Sequence, residues 1–580
     1  LLLLFCGVSC WFATGQSLDK IGQGRAFSLS GGVNVNQVAY AATGVEGRRD
    51  PYNYFMSGNL NIGLYGWNVP LSFSYSNQNA SFQQPFNQYG LSPTYKWITA
   101  HLGYRSMTFS RYTLGGHLFL GAGVELAPTE KVKVAAMYGR LQKAVPIDTT
   151  NANNLPAYKR MGGGAKVTIG TASDFIEVMF FKAADEVNSI NQEAFLPADR
   201  TTIDSTLVGT TTLVTPEENL VLGVGFSTSP IKGLLVKGEF ASSAITTDVR
   251  SETVSSGKIY DNLGFLFNPR VSSAYYQALN GAVQYRFNRY SFGATYERID
   301  PGYRTLGAYY FNNDLENIAM THTSSWLNQK LNVNLQLGVQ RNNLDNSELS
   351  SMNRFSTAVA ANYQVNQRLT TTLNYSNFST VVNFRPAIEL VDQLTPFDNL
   401  DTLNFRQVAQ NASSNINYIL NERKERRQNL SLNFSFQQTD DIRAGELQNT
   451  GTTFYNFNSA YMVNLSQQGI VLSLSGNANV SQSVQAETLI FGPSASMRKA
   501  FMDNKLASSL TFSFNTARTN GQLSSRVINL RLGSNYTLKE THQFSLNVTA
   551  LNRFSPQNET ASQFSEFVTE FGYNYNFNLK

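Results

Sequence analysis

Few residues of this 580-residue chain have a type and spacing suited to catalysis or metal binding. The chain has four histidines, which are His101, His117, His322 and His542. They are far apart, and no His-x-x-x-His or His/Cys group has the spacing of a metal site. The glycines at 162–164 lack the Lys-Ser/Thr pair that completes a phosphate-binding loop. We therefore expect no catalytic residue, no metal and no cofactor, and we expect the chain not to be an enzyme.

The elements that carry these residues show a two-residue periodicity. Between Lys330 and Arg341, aliphatic residues stand at 331, 333, 335, 337 and 339, with small or polar residues between them. A strand alternates its side chains between two faces, so this strand has one apolar and one polar face. About two dozen similar segments follow one another, which is typical of an all-β, closed antiparallel transmembrane barrel with long surface loops and short periplasmic turns.

The composition agrees with a barrel that spans a membrane. Only 42% of the residues are hydrophobic, the mean hydropathy is −0.24, and no apolar run approaches the length of a membrane helix. Aromatic residues reach 12%, which suits girdles at the two membrane interfaces. The net charge of +5 is spread along the chain without a basic cluster, so we expect no nucleic-acid partner.

The number of strands depends on one segment. Short connections recur at every second junction, and their order requires residues 78–115 to cross the membrane either twice or not at all. The barrel then has 26 or 24 strands. We favour about 24, because Pro85, Gly90 and Pro93 interrupt the alternation and residues 106–115 are too short for a second span. Both ends of the mature chain should lie on the side of the short turns.

A barrel of this width needs a filler, since barrels of 16–18 strands already enclose a water-filled channel. We expect residues 78–115 to fold into or over the lumen as at least part of a plug, and the alternative is a mobile surface loop. The other fillers available are the long connections 185–216, 243–274, 301–315 and 383–403. The candidate plug residues share an aromatic side chain: Phe82, Phe86, Tyr89, Tyr95, Trp97 and Tyr104.

Alternation also assigns charged residues to the lumen. If Leu118, Leu120 and Val124 face lipid, then His117 and Glu125 face inward, and Lys133 on the next strand could pair with Glu125 across the wall. The same reasoning turns Arg531 and Glu570 inward. A lining that selects solutes and a solvated ion pair that only stiffens the wall are both consistent with these residues. A histidine at the barrel rim could serve a hydrolase, but a lumen histidine satisfied by its neighbours is the simpler interpretation.

One surface loop combines flat apolar area with oxygen ligands. Its candidate contact residues are Tyr309, Tyr310, Phe311, Asp314 and Glu316. They could dock a sugar, a Ca²⁺ ion or a partner protein, whereas the alternative is the end of an aromatic girdle followed by an Asn/Asp-rich turn.

The first residues have the pattern of a targeting segment. Residues 1–12 are apolar, and Ala13-Thr14-Gly15 forms a small-residue cleavage site. We interpret residues 1–15 as the remainder of a signal peptide and residues 16–580 as the barrel. Both cysteines, Cys6 and Cys10, fall inside the first segment.

The Asn-, Tyr- and Phe-rich segments 81–97, 113–126 and 300–317 resemble the large outer-membrane barrels of Bacteroidota. The resemblance covers residues 16–580 in style and implies a Gram-negative outer membrane, with contacts to its lipid and lipopolysaccharide. It transfers no functional residue.

Two functions are consistent with the sequence. The first is a wide, porin-like transport channel, obstructed internally or gated by a partner, that passes a solute or polypeptide. The second is a non-conducting anchor or scaffold that holds a protein partner at the surface or in the periplasm.

Overall fold

The computed structural model describes residues 27–45, 49–77, 88–146, 156–190, 214–347, 353–377, 410–443, 446–556 and 563–579. Its strands are β1 Phe27–Thr43, β2 Tyr52–Leu64, β3 Trp67–Ser76, β4 Gln88–Leu91, β5 Thr94–Tyr95, β6 Ile98–Thr108, β7 Gly115–Thr129, β8 Val132–Gln142, β9 Arg160–Gly170, β10 Phe175–Asp185, β11 Glu218–Thr228, β12 Leu234–Thr246, β13 Ser273–Phe287, β14 Tyr290–Ile299, β15 Leu315–Trp326, β16 Leu331–Arg341, β17 Asn353–Gln364, β18 Leu369–Ser376, β19 Gln410–Arg423, β20 Arg426–Arg443, β21 Glu446–Leu465, β22 Ile470–Ser483, β23 Glu487–Phe501, β24 Leu506–Thr519, β25 Gln522–Leu538, β26 His542–Phe554 and β27 Phe564–Leu579.

Each strand pairs antiparallel with its neighbours in the chain, and the first strand closes the sheet against the last. Val33 of β1 lies opposite Gly58 of β2 on one side and opposite Tyr575 of β27 on the other. The sheet is therefore a closed antiparallel barrel, which leaves no unpaired edge. Phe27 is paired with Leu64 next to the β2–β3 turn, and Leu579 is paired with Leu29. Both ends of the described chain thus lie at the end with the short turns, as predicted.

The wall contains 26 strands, because β4 and β5 are two pieces of one strand. Both pair with β3 on one side and with β6 on the other. The alternative count of 26 is confirmed, and the preferred count of 24 was two strands short. All 24 strands expected from the alternation are present, so the two missing strands come from residues 88–108 alone.

The expectation that residues 78–115 do not cross the membrane was wrong, because they contribute two strands to the wall. The first crossing lies before the regular strand, at residues 88–95, and not after it. Glycines allow the two crossings to approach: Gly90 lies opposite Gly103, whose φ is +87°, and a Cβ at Gly103 would meet the Tyr89 carbonyl oxygen at 2.4 Å. Pro93, which cannot donate to the sheet, marks the break between β4 and β5.

The outer face of the wall carries large apolar side chains that have no protein cover. Ile176 and Val178 of β10 are 60% and 56% exposed, and Leu474 of β22 is 61% exposed. An aromatic girdle marks the turn end, where Trp67 stacks on Tyr95 with ring centroids 4.8 Å apart. An apolar band of this kind around a closed barrel is the surface that lipid covers.

Within the described residues, no helix is long and apolar enough to cross a membrane.

Candidate functional site: the two sectors of the lumen

The first lumen loop, residues 109–114, connects β6 to β7 and folds inward. It carries three large apolar side chains in six residues, and Phe109, Tyr112 and Leu114 are all buried. Phe109 and Leu114 pack in one cluster with inner-wall side chains of β7 to β12, which are Phe119, Met137, Leu141, Met179, Phe181, Ala183 and Ile245. A connection this apolar is driven against the inner wall by the hydrophobic effect instead of remaining in water.

The second lumen loop, residues 300–314, connects β14 to β15 and packs on the first. The Tyr303 hydroxyl donates to the Tyr112 carbonyl oxygen at 2.7 Å, and the Thr305 hydroxyl donates to the Thr113 carbonyl oxygen at 2.7 Å. Burial raises the pKa of the Tyr303 phenol well above its usual value, so the hydroxyl keeps the proton that it donates. The two loops therefore form one hydrogen-bonded layer inside the barrel.

Glycines on the inner wall make room for this layer. A Cβ at Gly223 of β11 would lie 3.1 Å from the Thr113 side chain and 3.0 Å from that of Met179. A Cβ at Gly164 of β9 would lie 3.0 Å from the Phe109 ring. The missing side chains at Gly164 and Gly223 therefore relieve crowding between the wall and the first lumen loop.

Four charged residues fasten the second lumen loop to the wall. Arg160 of β9 donates to both carboxylate oxygens of Asp185 at 2.7 and 2.9 Å and to Glu217 at 3.0 Å. Arg304 of the loop donates to the other Glu217 oxygen. Only 15% of the Arg160 side chain and 3% of the Asp185 side chain are exposed, so this pair is largely desolvated and each of its charges depends on the other. The Arg304 side chain at the edge of the network is 44% exposed.

A second polar contact fixes the first lumen loop. Its Tyr112 hydroxyl donates to Glu297 of β14 at 2.6 Å, and Arg111 pairs with the same carboxylate. The inner wall from β7 to β14, covered by both lumen loops, is called the filled sector below.

The inner wall from β15 to β22 is different, and we call it the amide wall. Two grooves of about 370 and 440 Å³ run along it, lined on adjacent strands mainly by Asn, Gln, Ser and Thr. Asn415 of β19 donates to Asn433 of β20, and Asn479 of β22 donates to Asn456 of β21. In the described part of the chain, only wall residues line these grooves, and none of them is charged.

The predicted lumen residues His117, Glu125 and Lys133 stand on strands of the filled sector. His117 is buried, donates from Nδ1 to the Leu118 carbonyl oxygen at 2.7 Å and stacks on Tyr309 with ring centroids 4.0 Å apart. Glu125 lies opposite Ala135 in the register, and its carboxylate is 3.8 Å from His101 Nε2. Glu125 therefore lies beside the His101 ring, and the ion pairs of the described residues do not include one between Glu125 and Lys133.

Arg531 and Glu570 alternate along their strands with exposed apolar residues. Leu530 and Leu532 flank Arg531 and are 44% and 42% exposed, and Asn547 donates to Glu570 at 3.5 Å. The inward direction predicted for both residues stays an inference from alternation.

The structure places four of the six candidate plug residues at the wall. Tyr89, Tyr95 and Tyr104 lie on β4, β5 and β6, and Trp97 lies in the turn before β6. Tyr89 is 67% exposed and meets Tyr104 edge-on on the outer face, at 6.2 Å between ring centroids. Phe82 and Phe86 lie outside the described residues. The plug role was wrong for the four described residues because their strands are wall strands.

The five surface-loop candidates are divided between several roles. Tyr309 and Tyr310 are about half exposed, and Phe311 packs on Tyr303 at 5.0 Å. The Asp314 carboxylate accepts the backbone N–H groups of Asn343 and Leu344 at 2.6 and 2.8 Å, so it anchors the next loop. Glu316 pairs with Arg341. Among the described residues there is no acidic or histidine cluster that could hold a metal.

None of the residues predicted from the sequence belongs to the charge network of Arg160, Asp185, Glu217 and Arg304. The available signal was a charge at the loop end of three successive strands, since Arg160 begins β9, Asp185 ends β10 and Glu217 directly precedes β11. Arg304 gave no such signal, because a loop residue has no periodicity that predicts its direction.

Comparisons with known proteins show general similarity to large barrels. No protein-family model matches the chain, and no curated protein matches it in sequence. The translocation pore of the P pilus usher PapC is 11% identical over 95% of this chain and 100% of that chain, with a TM-score of 0.39. The FrpB iron transporter from Neisseria meningitidis (F3-3 variant) is 9% identical over 94% and 82%, with a TM-score of 0.36. OccAB3 of Acinetobacter baumannii is 9% identical over 63% and 93%, with a TM-score of 0.30. These values are too low to transfer a function.

Proposed function

We propose that this chain spans a bacterial outer membrane and forms a wide channel that its own loops obstruct on one side. The apolar outer face and the closed hydrogen bonding of the wall support the membrane location. A barrel of 26 strands encloses more space than the 16–18 strands of a porin, so the lumen offers a path for a large solute or an extended polypeptide.

The observation that carries the proposal is the contrast between the two sectors of the lumen. The filled sector is closed by buried side chains, whereas the amide wall, in the described part of the chain, presents uncharged donors and acceptors to its two grooves. Such a wall can exchange hydrogen bonds with a passing hydrophilic chain without a strong preference for either sign of charge. The permeating species should therefore be hydrophilic and follow the amide wall.

Planar-bilayer recording tests this proposal. The purified protein should give discrete conductance steps, and the double variant Arg304→Ala/Thr305→Ala should give larger steps, because it removes the Glu217 contact and the hydrogen bond to the first lumen loop. Tyr310→Ala is the matched control in the same loop, since Tyr310 is half exposed and its hydroxyl contacts Asn312. Silence of both the parent and the double variant in correctly folded protein would contradict the channel.

A non-conducting scaffold is the second candidate, and the close packing of the second lumen loop in the filled sector favours it. Tyr303 and Leu306 are almost fully buried, as expected for a permanent filler. A scaffold predicts a stoichiometric partner that co-purifies in mild detergent, together with the absence of conductance. The bilayer recording therefore separates the two functions.

A further inference from the structure

Residues 247–272, between β12 and β13, form a flap that packs on the outside of the barrel. Leu220 of β11, Ala244 of β12 and Tyr275 of β13 are neighbours in register. They belong to the outer face, because Asn219 and Ser243, one residue away, contact the second lumen loop. The wall at this point thus has the lumen loops on one side and the flap on the other.

Aromatic contacts hold the flap against the outer face. Tyr260 stacks on Tyr275 with ring centroids 5.1 Å apart and meets Phe267 at 5.9 Å. The Tyr260 hydroxyl donates to Ser242 of the wall at 2.8 Å. Leu220, Ala244 and Phe267 are 0% exposed in consequence.

The flap has an internal order of its own. Asp261, at the short 3-10 turn Ile259–Leu263, accepts the backbone N–H groups of Ser256 and Gly257 at 2.9 and 2.7 Å. An isolated bridge joins Thr253 to Arg270 at its base. These contacts give the flap a defined backbone conformation.

One large apolar side chain of the flap is nevertheless exposed. Phe265 is 81% exposed, although it lies two residues from the buried Phe267. Toward the turn end, the next uncovered rung of the outer wall is Val224, Phe240 and Leu279, which are 48%, 41% and 40% exposed. The part of the outer wall that the flap covers is therefore followed, two rungs further along the strands, by an uncovered apolar rung.

We propose that the flap is an interfacial membrane anchor, and that Phe265 inserts among the acyl chains of the outer leaflet beside the barrel. Lipid is the expected occupant, because the flap packs on Ala244, four residues along β12 from the uncovered Phe240 on the same outer face. An aromatic side chain on a short ordered loop is suited to this interface. The inference rests on the membrane location proposed above but not on conduction.

Site-directed spin labelling in proteoliposomes of phosphatidylcholine and phosphatidylglycerol tests the anchor. Cys6 and Cys10, the only two cysteines, are replaced by serine, and a nitroxide is attached at Phe265→Cys. Phe240→Cys on the bare outer wall is the lipid reference, and Ser347→Cys in an exposed loop is the water reference. The readout is the ratio of collision rates with oxygen and with a water-soluble nickel chelate.

The anchor predicts a ratio at position 265 shifted from the value at 347 toward the value at 240. A ratio at 265 equal to that at 347, with 240 in lipid, would overturn the anchor and leave the barrel in place. Water-like ratios at both 240 and 265 would refute the membrane location itself. Protection of 265 in native membranes, but not in the lipid vesicles, would indicate a protein partner at the flap and would also overturn the proposal.

Discussion

The filled sector and the amide wall belong to one sheet, yet they use different means to stabilise their inner faces. The filled sector contains a network of charged contacts between Arg160, Asp185, Glu217 and Arg304, in which the Arg160–Asp185 pair is largely desolvated. Arg111 meets Glu297 in the same sector. The amide wall instead has side-chain hydrogen bonds between neighbouring strands, such as that from Asn415 to Asn433. Both sectors have an apolar outer face, which suits contact with lipid. They differ in the inner face, which is the surface that a permeating molecule would meet.

The difference shows where mutation should matter. In the filled sector a side chain buried under the lumen loops has protein on all sides, and its loss leaves a cavity or an unpaired charge. On the amide wall an inner side chain borders a groove, and water can replace its contacts. Stability should therefore be sensitive on one side of the lumen and tolerant on the other.

The largest effect should come from truncating the apolar centre of the filled sector. Phe181→Ala removes a ring that is fully buried against the second lumen loop, and it should cost about 3–5 kcal/mol in the free energy of unfolding. Urea unfolding in detergent micelles measures this. Asn433→Ala is the counterpart on the amide wall and should change the same free energy by less than about 0.5 kcal/mol. Equal losses would abolish the distinction between the sectors.

The charge network offers the next contrast. Asp185→Asn leaves Arg160 with a weaker partner in a desolvated site, which should cost about 3 kcal/mol in the same unfolding measurement. Lys159→Ala removes a neighbouring ion pair with Glu186 whose side chains are 37% and 47% exposed, and it should cost no more than about 1 kcal/mol. A cost for Lys159→Ala as large as that for Asp185→Asn would mean that burial does not set the strength of these pairs.

A charge placed on the lipid face instead of the lumen face of a strand should have a similar or slightly smaller effect on stability. Alternation along β16 places Leu335 and Asn334 on opposite faces, and Asn334 is assigned to the lumen face with Gln336, Thr321 and Thr323, its neighbours in the polar groove. Leu335→Arg should therefore cost roughly 2–4 kcal/mol near mid-membrane and reduce assembly, whereas Asn334→Arg should be tolerated. Heat-modifiable gel mobility of the two variants shows the result, and normal assembly of Leu335→Arg would mean that the outward face is wrongly assigned.

The smallest contrast uses two glycines. Gly223→Ala places a Cβ 3.0 Å from Met179 and 3.1 Å from Thr113 and should cost about 1–3 kcal/mol. Gly281→Ala, on β13, meets no atom within 4 Å and should be neutral or slightly stabilising. Thermal unfolding of both proteins compares them, and a neutral Gly223→Ala would show that the lumen loops yield easily.

The alternation of side chains was sufficient to predict the closed barrel, 24 of its strands and the position of both chain ends. It failed at residues 88–108 because Gly90, Pro93 and Gly103, which interrupt the pattern, are the residues that allow a broken strand to pair closely with its neighbour. A prediction based on regular alternation misses strands that contain such glycine and proline residues, even where close packing of the wall requires them.

The lumen filling was predicted only in part. Loop 301–315 was expected among the fillers, and residues 300–308 do lie inside the filled sector. Among the described residues of 78–115, those at 109–114 enter the lumen, although the predicted plug aromatics stand earlier in the chain. Loop 243–274 packs on the outer face instead, since Tyr260 and Phe267 contact outward residues. The apolar residues of a loop predict that it packs on the barrel wall, but they do not predict whether it packs on the inner or the outer face.

The most direct test of the two sectors compares one cysteine in each, in the Cys6→Ser/Cys10→Ser background. Asn433→Cys stands on the amide wall, and Val221→Cys stands under the lumen loops, where Val221 is 0% exposed. A bulky, water-soluble maleimide should react with the cysteine at 433 and reduce the single-channel current, while the cysteine at 221 stays unmodified and its channel unchanged. Reaction at 221 with protection at 433 would contradict the account, and protection of both would show that the lumen is filled throughout.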